Sequence, residues 1–306
     1  MKRSRRILKI GVLSLIVVVM LIAVTAYGLS ELRVRKNYDI VLLTAAVSPE
    51  PHLVERGRHL AVTRGCTDCH TADLGGKIFM NEPGVALISA TNLTSGEGGI
   101  GSRYSEADWE RAIRHGVGPN GRALAIMPSR EYFGFSEADI TALIAYLKTV
   151  PPVDRNLPAR KLGPLGRTLL VARLLPAFAA EMIDHRAERP ASPPEGETIE
   201  YGRYLAMICA GCHGDDFAGG KDTGPPGSPI ASNLTPHSAA GIGSWSESDF
   251  FRAIREGERP DGSEIQREFM PWPAFAQMTD SEIRALWLYF RSLPAVETPS
   301  PTGIAK

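Results

Sequence analysis

The positions of apolar residues along the chain predict a mostly helical protein. Residues 10 to 30 contain no charged side chain, and as a helix they are long enough to cross the hydrocarbon core of a bilayer. Further on, apolar residues recur at the spacing of one helix face near 105–115, 136–147, 246–255 and 279–290. The long Gly- and Pro-rich loops between these helices contribute little apolar surface. We therefore expect an all-α protein with something other than side chains filling its centre.

The first residues of these four helices support the prediction. Each begins with Ser or Thr followed three positions later by an acidic residue, a spacing that supplies partners to the unpaired amides of the first helical turn. The pairs are Ser105 with Asp108, Ser136 with Asp139, Ser246 with Asp249, and Thr279 with Glu282.

Basic residues are unevenly placed around the N-terminal apolar run. Five precede it, Lys2, Arg3, Arg5, Arg6 and Lys9, and three follow it. The positive-inside rule then places residue 1 in the cytoplasm and the bulk of the chain outside. We interpret residues 1–30 as a retained membrane anchor. The alternative is a cleaved signal peptide, for which Val24 to Ala26 is a mediocre cleavage site.

The rest of the chain is an internal duplication, in which the alignment of Cys66 with Cys209 also brings other segments into register. The segment "ATNLTSGEGGIGSRYSEADWERAIRHG" from Ala90 matches "ASNLTPHSAAGIGSWSESDFFRAIREG" from Ala231. This predicts two helical domains, at 50–153 and 197–297, joined by a Pro-rich linker at 154–196.

Overall charge argues against a nucleic-acid-binding protein. The chain has 34 basic and 34 acidic residues, so it lacks the basic excess that nucleic-acid binders use. Residues 197–297 carry 8 basic and 15 acidic residues. The second domain therefore has an acidic surface.

All four cysteines lie in two Cys-x-x-Cys-His motifs at equivalent points of the repeat: Cys66, Cys69, His70 and Cys209, Cys212, His213. A disulfide within each pair would leave the histidines unexplained, structural zinc would need the pairs to come together, and a thioredoxin-like pair would need a βαβ setting. The motif is the attachment signature of c-type haem. We expect two covalently bound haem c groups, with His70 and His213 as proximal iron ligands.

The duplication also selects candidates for the opposite iron ligand. Met127 follows His70 at the same distance along the chain as Met270 follows His213. Each is followed by proline, and no other methionine and no distal histidine recurs. We therefore expect Met127 and Met270 to be the second axial ligands, which would raise the reduction potential.

Other repeated polar features allow two interpretations each. The sequons Asn92–Thr94 and Asn233–Thr235 fit glycosylation, but their repetition favours a local loop bond or a contact with a haem propionate. Four arginines on equivalent helices either hold propionates or belong to solvated helix faces. They are Arg111, Arg114, Arg252 and Arg255.

Glycines recur at one point of the first helix in each domain. Gly57 and Gly202 are expected to let the last helix, with Tyr146 or Tyr289, cross closely over the first.

The linker contains a basic amphipathic stretch from Ala159 to Met182. Its leucines are Leu169, Leu170, Leu174 and Leu175, interspersed with Arg160, Lys161, Arg167 and Arg173. Such a stretch either lies on a membrane surface or in a partner's groove, or packs its leucines against one of the domains.

The motifs taken together resemble those of the cytochrome c subunits of membrane-bound bacterial alcohol, gluconate and related sugar dehydrogenases. The resemblance rests on the two Cys-x-x-Cys-His motifs, "NLT", "GIGSWSESDFFRAIREG" and Met-Pro, and covers nearly the whole chain. It implies two tandem class I cytochrome c domains, an inner-membrane anchor and haem domains in the periplasm. The implied electron donor is a periplasmic dehydrogenase subunit, and the implied acceptor is quinone, another cytochrome or a terminal oxidase. Family members commonly carry three such motifs, whereas this chain has two.

Two classes of function fit two haems: an electron carrier, and a haem enzyme such as a dihaem peroxidase or a thiosulfate dehydrogenase-like oxidoreductase. A peroxidase needs one iron open to peroxide, and the thiosulfate enzymes use an additional cysteine ligand. The two attachment motifs together use all four cysteines, and each domain has a matching methionine. We therefore expect an electron carrier with no catalytic residues.

Overall fold

The structure is a computed structural model, and it describes residues 2–40, 42, 46–175, 178–188, 191–222 and 228–299. Residues 176–177 and 189–190 of the predicted linker and 223–227 of a predicted Gly- and Pro-rich loop lie outside the described residues, as do the side chains of residues 2–5 and 8. The N-terminal apolar run forms one long helix, α1 (Lys2–Val34).

The first domain contains five helices and a β-hairpin among the described residues. In chain order they are α2 (Pro51–Thr63), α3 (Cys66–His70), β1 (Lys77–Glu82), β2 (Ala86–Ala90), α4 (Glu106–His115), α5 (Ser129–Tyr132) and α6 (Glu137–Leu147). The linker adds β3 (Lys161–Leu162), α7 (Pro164–Val171) and α8 (Ala179–Met182). The second domain contains α9 (Ile199–Ala206), a 3-10 turn (Met207–Cys209), α10 (Ala210–His213), α11 (Glu247–Arg255), α12 (Trp272–Phe275) and α13 (Asp280–Ser292).

In both domains the first helix crosses the last at a glycine, as the sequence predicts. A Cβ at Gly57 of α2 would lie 2.0 Å from the carbonyl oxygen of Ala142 in α6. A Cβ at Gly202 of α9 would lie 2.0 Å from the same atom of Ala285 in α13. Because glycine has no Cβ, the two backbones touch directly. This contact sets how the first and last helices of each domain pack against each other.

Each domain has its own apolar core, made from the predicted helix faces. The faces are buried except for Trp287, which is half-buried against the second core. The buried positions are Trp109, Ala112, Ile113, Ile140, Leu143, Ile144 and Leu147 in the first domain, and Phe250, Ala253, Ile254, Ile283, Leu286 and Phe290 in the second.

The expected all-α class is only partly correct, because the first domain carries a small antiparallel sheet in the order β1-β2-β3. Pro83 and Gly84 form the turn between β1 and β2, with the Val85 amide donating to the Glu82 carbonyl at 3.0 Å and Gly84 at φ 78°. Pro followed by Gly at the two central positions favours this type of turn. Ala86 and Leu87 then pair with β3 of the linker.

The linker packs against both the first domain and the end of α1. Arg33 of α1 donates to Glu181 at 2.7 Å and to the Leu170 carbonyl at 2.7 Å. Leu170 is 3% exposed in a third apolar cluster with Phe178, whereas Leu174 is 64% exposed. Thus part of the amphipathic stretch is core, as one of the two interpretations requires.

Candidate haem sites

The two cysteine motifs fold into short helices, α3 and α10, directly after the first long helix of each domain. All four thiols are free, so the cysteines form no disulfides. Burial raises the pKa of Cys66 and of Cys209 to about 12, and it also raises those of Cys69 and Cys212. The thiols are therefore protonated at neutral pH.

The histidine of each motif is held by a backbone carbonyl. The Nδ1 atom of His70 lies 2.7 Å from the Thr91 carbonyl oxygen, and that of His213 lies 2.7 Å from the Ser232 carbonyl oxygen. Burial lowers the pKa of both imidazoles, which favours the neutral ring. A neutral ring that donates from Nδ1 keeps the lone pair of Nε2 for a metal ion.

The repeated Asn-Leu-Thr segment positions that carbonyl. Asn92 Oδ1 accepts from the amide and the hydroxyl of Thr94 at 3.0 and 2.8 Å, while its Nδ2 donates to the Val153 carbonyl at 2.7 Å. Asn233 makes the corresponding bonds to Thr235 and Val296. Both asparagines are buried, so the sequons are structural loop bonds and do not accept glycans.

Met127 and Met270 lie in loops of the same local shape. The following prolines have almost identical dihedral angles, φ −80° and ψ 53° at Pro128 and φ −75° and ψ 53° at Pro271. In each loop the amide after the proline donates to the methionine carbonyl, at 2.8 and 2.7 Å. Met127 packs, half-buried, on the same core as Cys66, and Met270 on the same core as Cys209.

The four arginines have structural partners. Arg114 is fully buried and donates to the carbonyl oxygens of Phe133 and Phe135, between α5 and α6. Arg255 binds Asp280 and the Ala276 carbonyl in the corresponding place. Arg111 and Arg252 pair with the helix-capping residues Asp108 and Asp249. Neither proposed interpretation describes Arg114, which fastens the segment between α5 and α6.

These residues fit covalent haem c. Each domain offers two free thiols, an imidazole with Nε2 left for iron, and a methionine in a fixed turn on the same core. No group of three or more His, Cys, Asp or Glu side chains capable of holding a metal ion occurs among the described residues. A clustered zinc site of the usual kind is therefore not formed by that part of the chain.

Comparison with known proteins identifies the family of both domains. The cytochrome c family model matches residues 54–151 and 199–294, which together are more than half of the chain. The chain belongs to the cytochrome c family. Both matches contain one Cys-x-x-Cys-His motif and one Met-Pro turn.

Similar proteins include cytochrome subunits of dehydrogenases. The chain is 31% identical to the cytochrome c subunit of the quinone-dependent alcohol dehydrogenase of Gluconacetobacter polyoxogenes, over 80% of this chain and 56% of that protein. It is 30% identical to the gluconate 2-dehydrogenase cytochrome c subunit of Pantoea cypripedii, over 79% of this chain and 60% of that protein. It thus spans a little over half of the length of these relatives. A dihaem cytochrome c-type protein of Cereibacter sphaeroides is 26% identical over 83% of this chain and 93% of its own length.

The two candidate sites adjoin one domain interface, which the sequence did not reveal. The loop helix α5 of the first domain packs against the 207–209 turn of the second, and α12 of the second packs against α2 of the first. The segment leading into each cysteine motif therefore faces the methionine-loop helix of the other domain.

Two equivalent pairs of residues make polar bonds across this interface. His59 of α2 binds Glu282 of α13 at 2.9 Å, and Tyr204, its counterpart in α9, donates to Asp139, the counterpart of Glu282 in α6. The Ser136 amide donates to the Tyr204 hydroxyl at 2.9 Å. Asp139 and Glu282 are the predicted helix-capping residues, so the same carboxylates hold the two domains together in an approximately two-fold arrangement.

Proposed function

We propose that this chain is a membrane-anchored dihaem cytochrome c that carries electrons from a dehydrogenase towards quinone, another cytochrome or a terminal oxidase. The observation that carries the proposal is the recurrence of one constellation at equivalent points of both domains: two free thiols, a histidine held through Nδ1 at 2.7 Å, and a methionine in a Met-Pro turn.

Each residue has a defined role in this proposal. Cys66 and Cys69 bind one haem covalently and Cys209 and Cys212 the other, while His70 and His213 are the proximal iron ligands. Met127 and Met270 would supply the second iron ligand of each haem. Haem iron with His and Met ligands supplies a reversible one-electron couple without an open coordination position. Closed positions on both sides favour an electron carrier over a peroxidase.

Membrane attachment is proposed from α1. Among the described residues, Lys9–Val34 of α1 is the one helical segment long and apolar enough to cross a membrane, and most of its apolar side chains are exposed. With the positively charged end in the cytoplasm, the haem domains lie in the periplasm, attached to the inner membrane of a bacterium. A mass spectrum of the mature protein tests retention, because cleavage after Ala26 would remove the basic N-terminus.

The dehydrogenase partner is proposed from the relatives, whose names describe cytochrome subunits of alcohol and gluconate dehydrogenases. Partner recognition is tested by mixing the oxidised chain with the catalytic subunit of such a dehydrogenase and its substrate. Faster reduction of the haems in this mixture than in a mixture with the substrate but without the catalytic subunit supports the proposal. The same rate of reduction in both mixtures contradicts it.

The haem proposal is tested by counting haems and identifying their ligands. The native chain should contain two haems that acid-acetone does not extract, and Cys66→Ala with Cys69→Ala should leave one. Both oxidised haems should be low-spin, with a weak thioether charge-transfer band that Met127→Ala reduces by about half. A high-spin haem, or an undiminished band in Met127→Ala, would overturn the carrier assignment or the choice of ligand.

A further inference from the structure

The linker helix α7 is fastened to the C-terminal end of α1. The guanidinium carbon of Arg167 in α7 lies 4.3 Å from the centre of the Tyr27 ring. The same side chain donates to the Ser30 hydroxyl at 2.8 Å and pairs with Glu31 at 2.7 Å. Ser30 is completely buried. These contacts fix the height of α7 along the axis of α1.

The length of the apolar run sets the depth of this attachment in a membrane. Residues 10–30 carry no charge, and as a helix they rise about 30 Å, the thickness of the hydrocarbon core. Glu31 is then the first charged residue beyond that core. Because Arg167 holds α7 beside Ser30 and Glu31, α7 lies at the boundary between acyl chains and headgroups.

The side of α7 that faces away from the protein is exposed and uncharged. Gly166 and Leu170 are buried on the inner side of the helix. At helical spacing the exposed residues fall on the opposite side; they are Pro164, Leu165 and Thr168. Arg167 carries the only charge of α7, and that charge is paired with α1. The outer side of α7 is therefore suited to an apolar environment.

The turn that ends α7 exposes a second leucine. The amides of Arg173 and Leu174 donate to the carbonyl oxygens of Leu170 and Leu169 at 3.2 and 2.9 Å, and Arg173 has a left-handed φ of 59°. An apolar residue at the position of Leu174 frequently packs back onto the helix in such a turn. Here it is 64% exposed, and Leu165 at the other end of α7 is 51% exposed.

Exposed basic side chains flank the two leucines. Lys161 precedes α7 and Arg173 follows it. The acidic Glu31 and Glu181 are already paired with arginines of α7 and α1. An uncharged strip between two cations matches the boundary of a bilayer, where acyl chains lie below and lipid phosphates above. At the depth that α1 imposes, lipid meets this strip before a water-soluble partner can.

We propose that α7 and the turn after it form a second membrane contact, in which Leu165 and Leu174 insert at the headgroup boundary and Lys161 and Arg173 contact lipid phosphates. The inference rests on the proposed membrane attachment through α1. A single spanning helix leaves the chain free to tilt and rotate. Because β3 of the same linker pairs with β2, the second contact holds the first haem domain in one orientation above the membrane.

The experiment measures the depth of nitroxide spin labels on the purified full chain with both haems, in vesicles of phosphatidylethanolamine and phosphatidylglycerol. With the four native cysteines bound to haem, Leu165→Cys or Leu174→Cys supplies the one thiol left for the label. The ratio of collisions with lipid-soluble oxygen to collisions with a water-soluble nickel chelate should be several-fold higher at both sites than at the matched control. That control is Ile199→Cys, an aliphatic residue 38% exposed in the first turn of α9.

Val24→Cys separates this inference from the proposed anchor. Val24 is 70% exposed within the apolar run, so its label should show the highest ratio. If the Val24 label lies in lipid while those at Leu165 and Leu174 match Ile199, the second contact does not exist and the anchor stands. If the Val24 label also lies in water, the anchor is wrong and the inference falls with it. Either leucine site decides alone if the other variant does not assemble.

Discussion

The crossing of α2 over α6 at Gly57 makes a sharp prediction about stability. A Cβ at this position would meet the Ala142 carbonyl oxygen at 2.0 Å and the Tyr146 Cβ at 2.7 Å, while ordinary contact begins at 3.4 Å. In Gly57→Ala the two helices would have to separate until the 2.0 Å approach opens to at least 3.4 Å. Because α6 carries Ile140 and Leu143 into the core, the separation would loosen the packing of the whole first domain.

The expected magnitude follows from two opposing effects. Overpacking of a tightly packed site costs about 3 kcal/mol, and replacing a helical glycine by alanine returns about 1 kcal/mol. The net loss of about 2 kcal/mol should lower the melting temperature of a domain of this size by roughly 10 °C. Gly202→Ala should have the same effect on the second domain, since its Cβ would meet Ala285 at the same 2.0 Å.

Thermal unfolding followed by circular dichroism at the helix band measures the effect, on holoprotein solubilised in detergent. Gly28→Ala is the matched control, because Gly28 is also helical and a Cβ there has no neighbouring atom within 4 Å. It should leave the melting temperature unchanged or slightly raised. If Gly57→Ala melted together with Gly28→Ala, the helices would not be in backbone contact at Gly57, and the crossing described above would be wrong.

Two further predictions concern the interface and the linker. Burial raises the pKa of Glu282, but hydrogen bonds from His59 and a backbone amide, together with the Arg64 charge, outweigh it and lower the pKa to about 2 from 4.5. The depressed pKa contributes stability, on the order of 3 kcal/mol, that is present above about pH 4.5 and lost as the pH falls towards 2. Acid titrations should therefore show Glu282→Gln less stable than wild type at pH 7 and equal to it near pH 2. A difference in stability that does not change with pH would contradict this. In a denaturant titration, Leu170→Ser should lower the free energy of unfolding by about 2–4 kcal/mol because the leucine is buried. Leu174 is exposed, so Leu174→Ser should change the free energy of unfolding by less than about 0.5 kcal/mol. Equal losses in the two variants would show that both leucines belong to the core.

The sequence alone determined the features that depend on short spacing and on repetition. Two Cys-x-x-Cys-His motifs at equivalent points of a repeat indicate haem attachment because two neighbouring thiols and an adjoining imidazole are a local chemical constellation. The helix faces followed in the same way from the periodic recurrence of apolar residues. Repetition then selected Met127 and Met270, since a residue filling a core at random has no reason to recur before a proline.

Only the tertiary structure decided the features that join distant parts of the chain. The β-hairpin at 77–90 was missed because Gly-rich flanks suggested a loop, and its third strand comes from the linker, on the far side of the first domain in sequence. The sequence pattern of Arg114 indicates a propionate contact or a solvated helix face, but its side chain is fully buried and donates to the carbonyl oxygens of Phe133 and Phe135. The interface hydrogen bonds of His59, Tyr204 and Asp139 could not be predicted either, because they join residues far apart in the sequence. Local spacing specifies a helix or an attachment motif, but burial and long-range pairing depend on which surfaces the folded chain brings together, and no short segment contains that information.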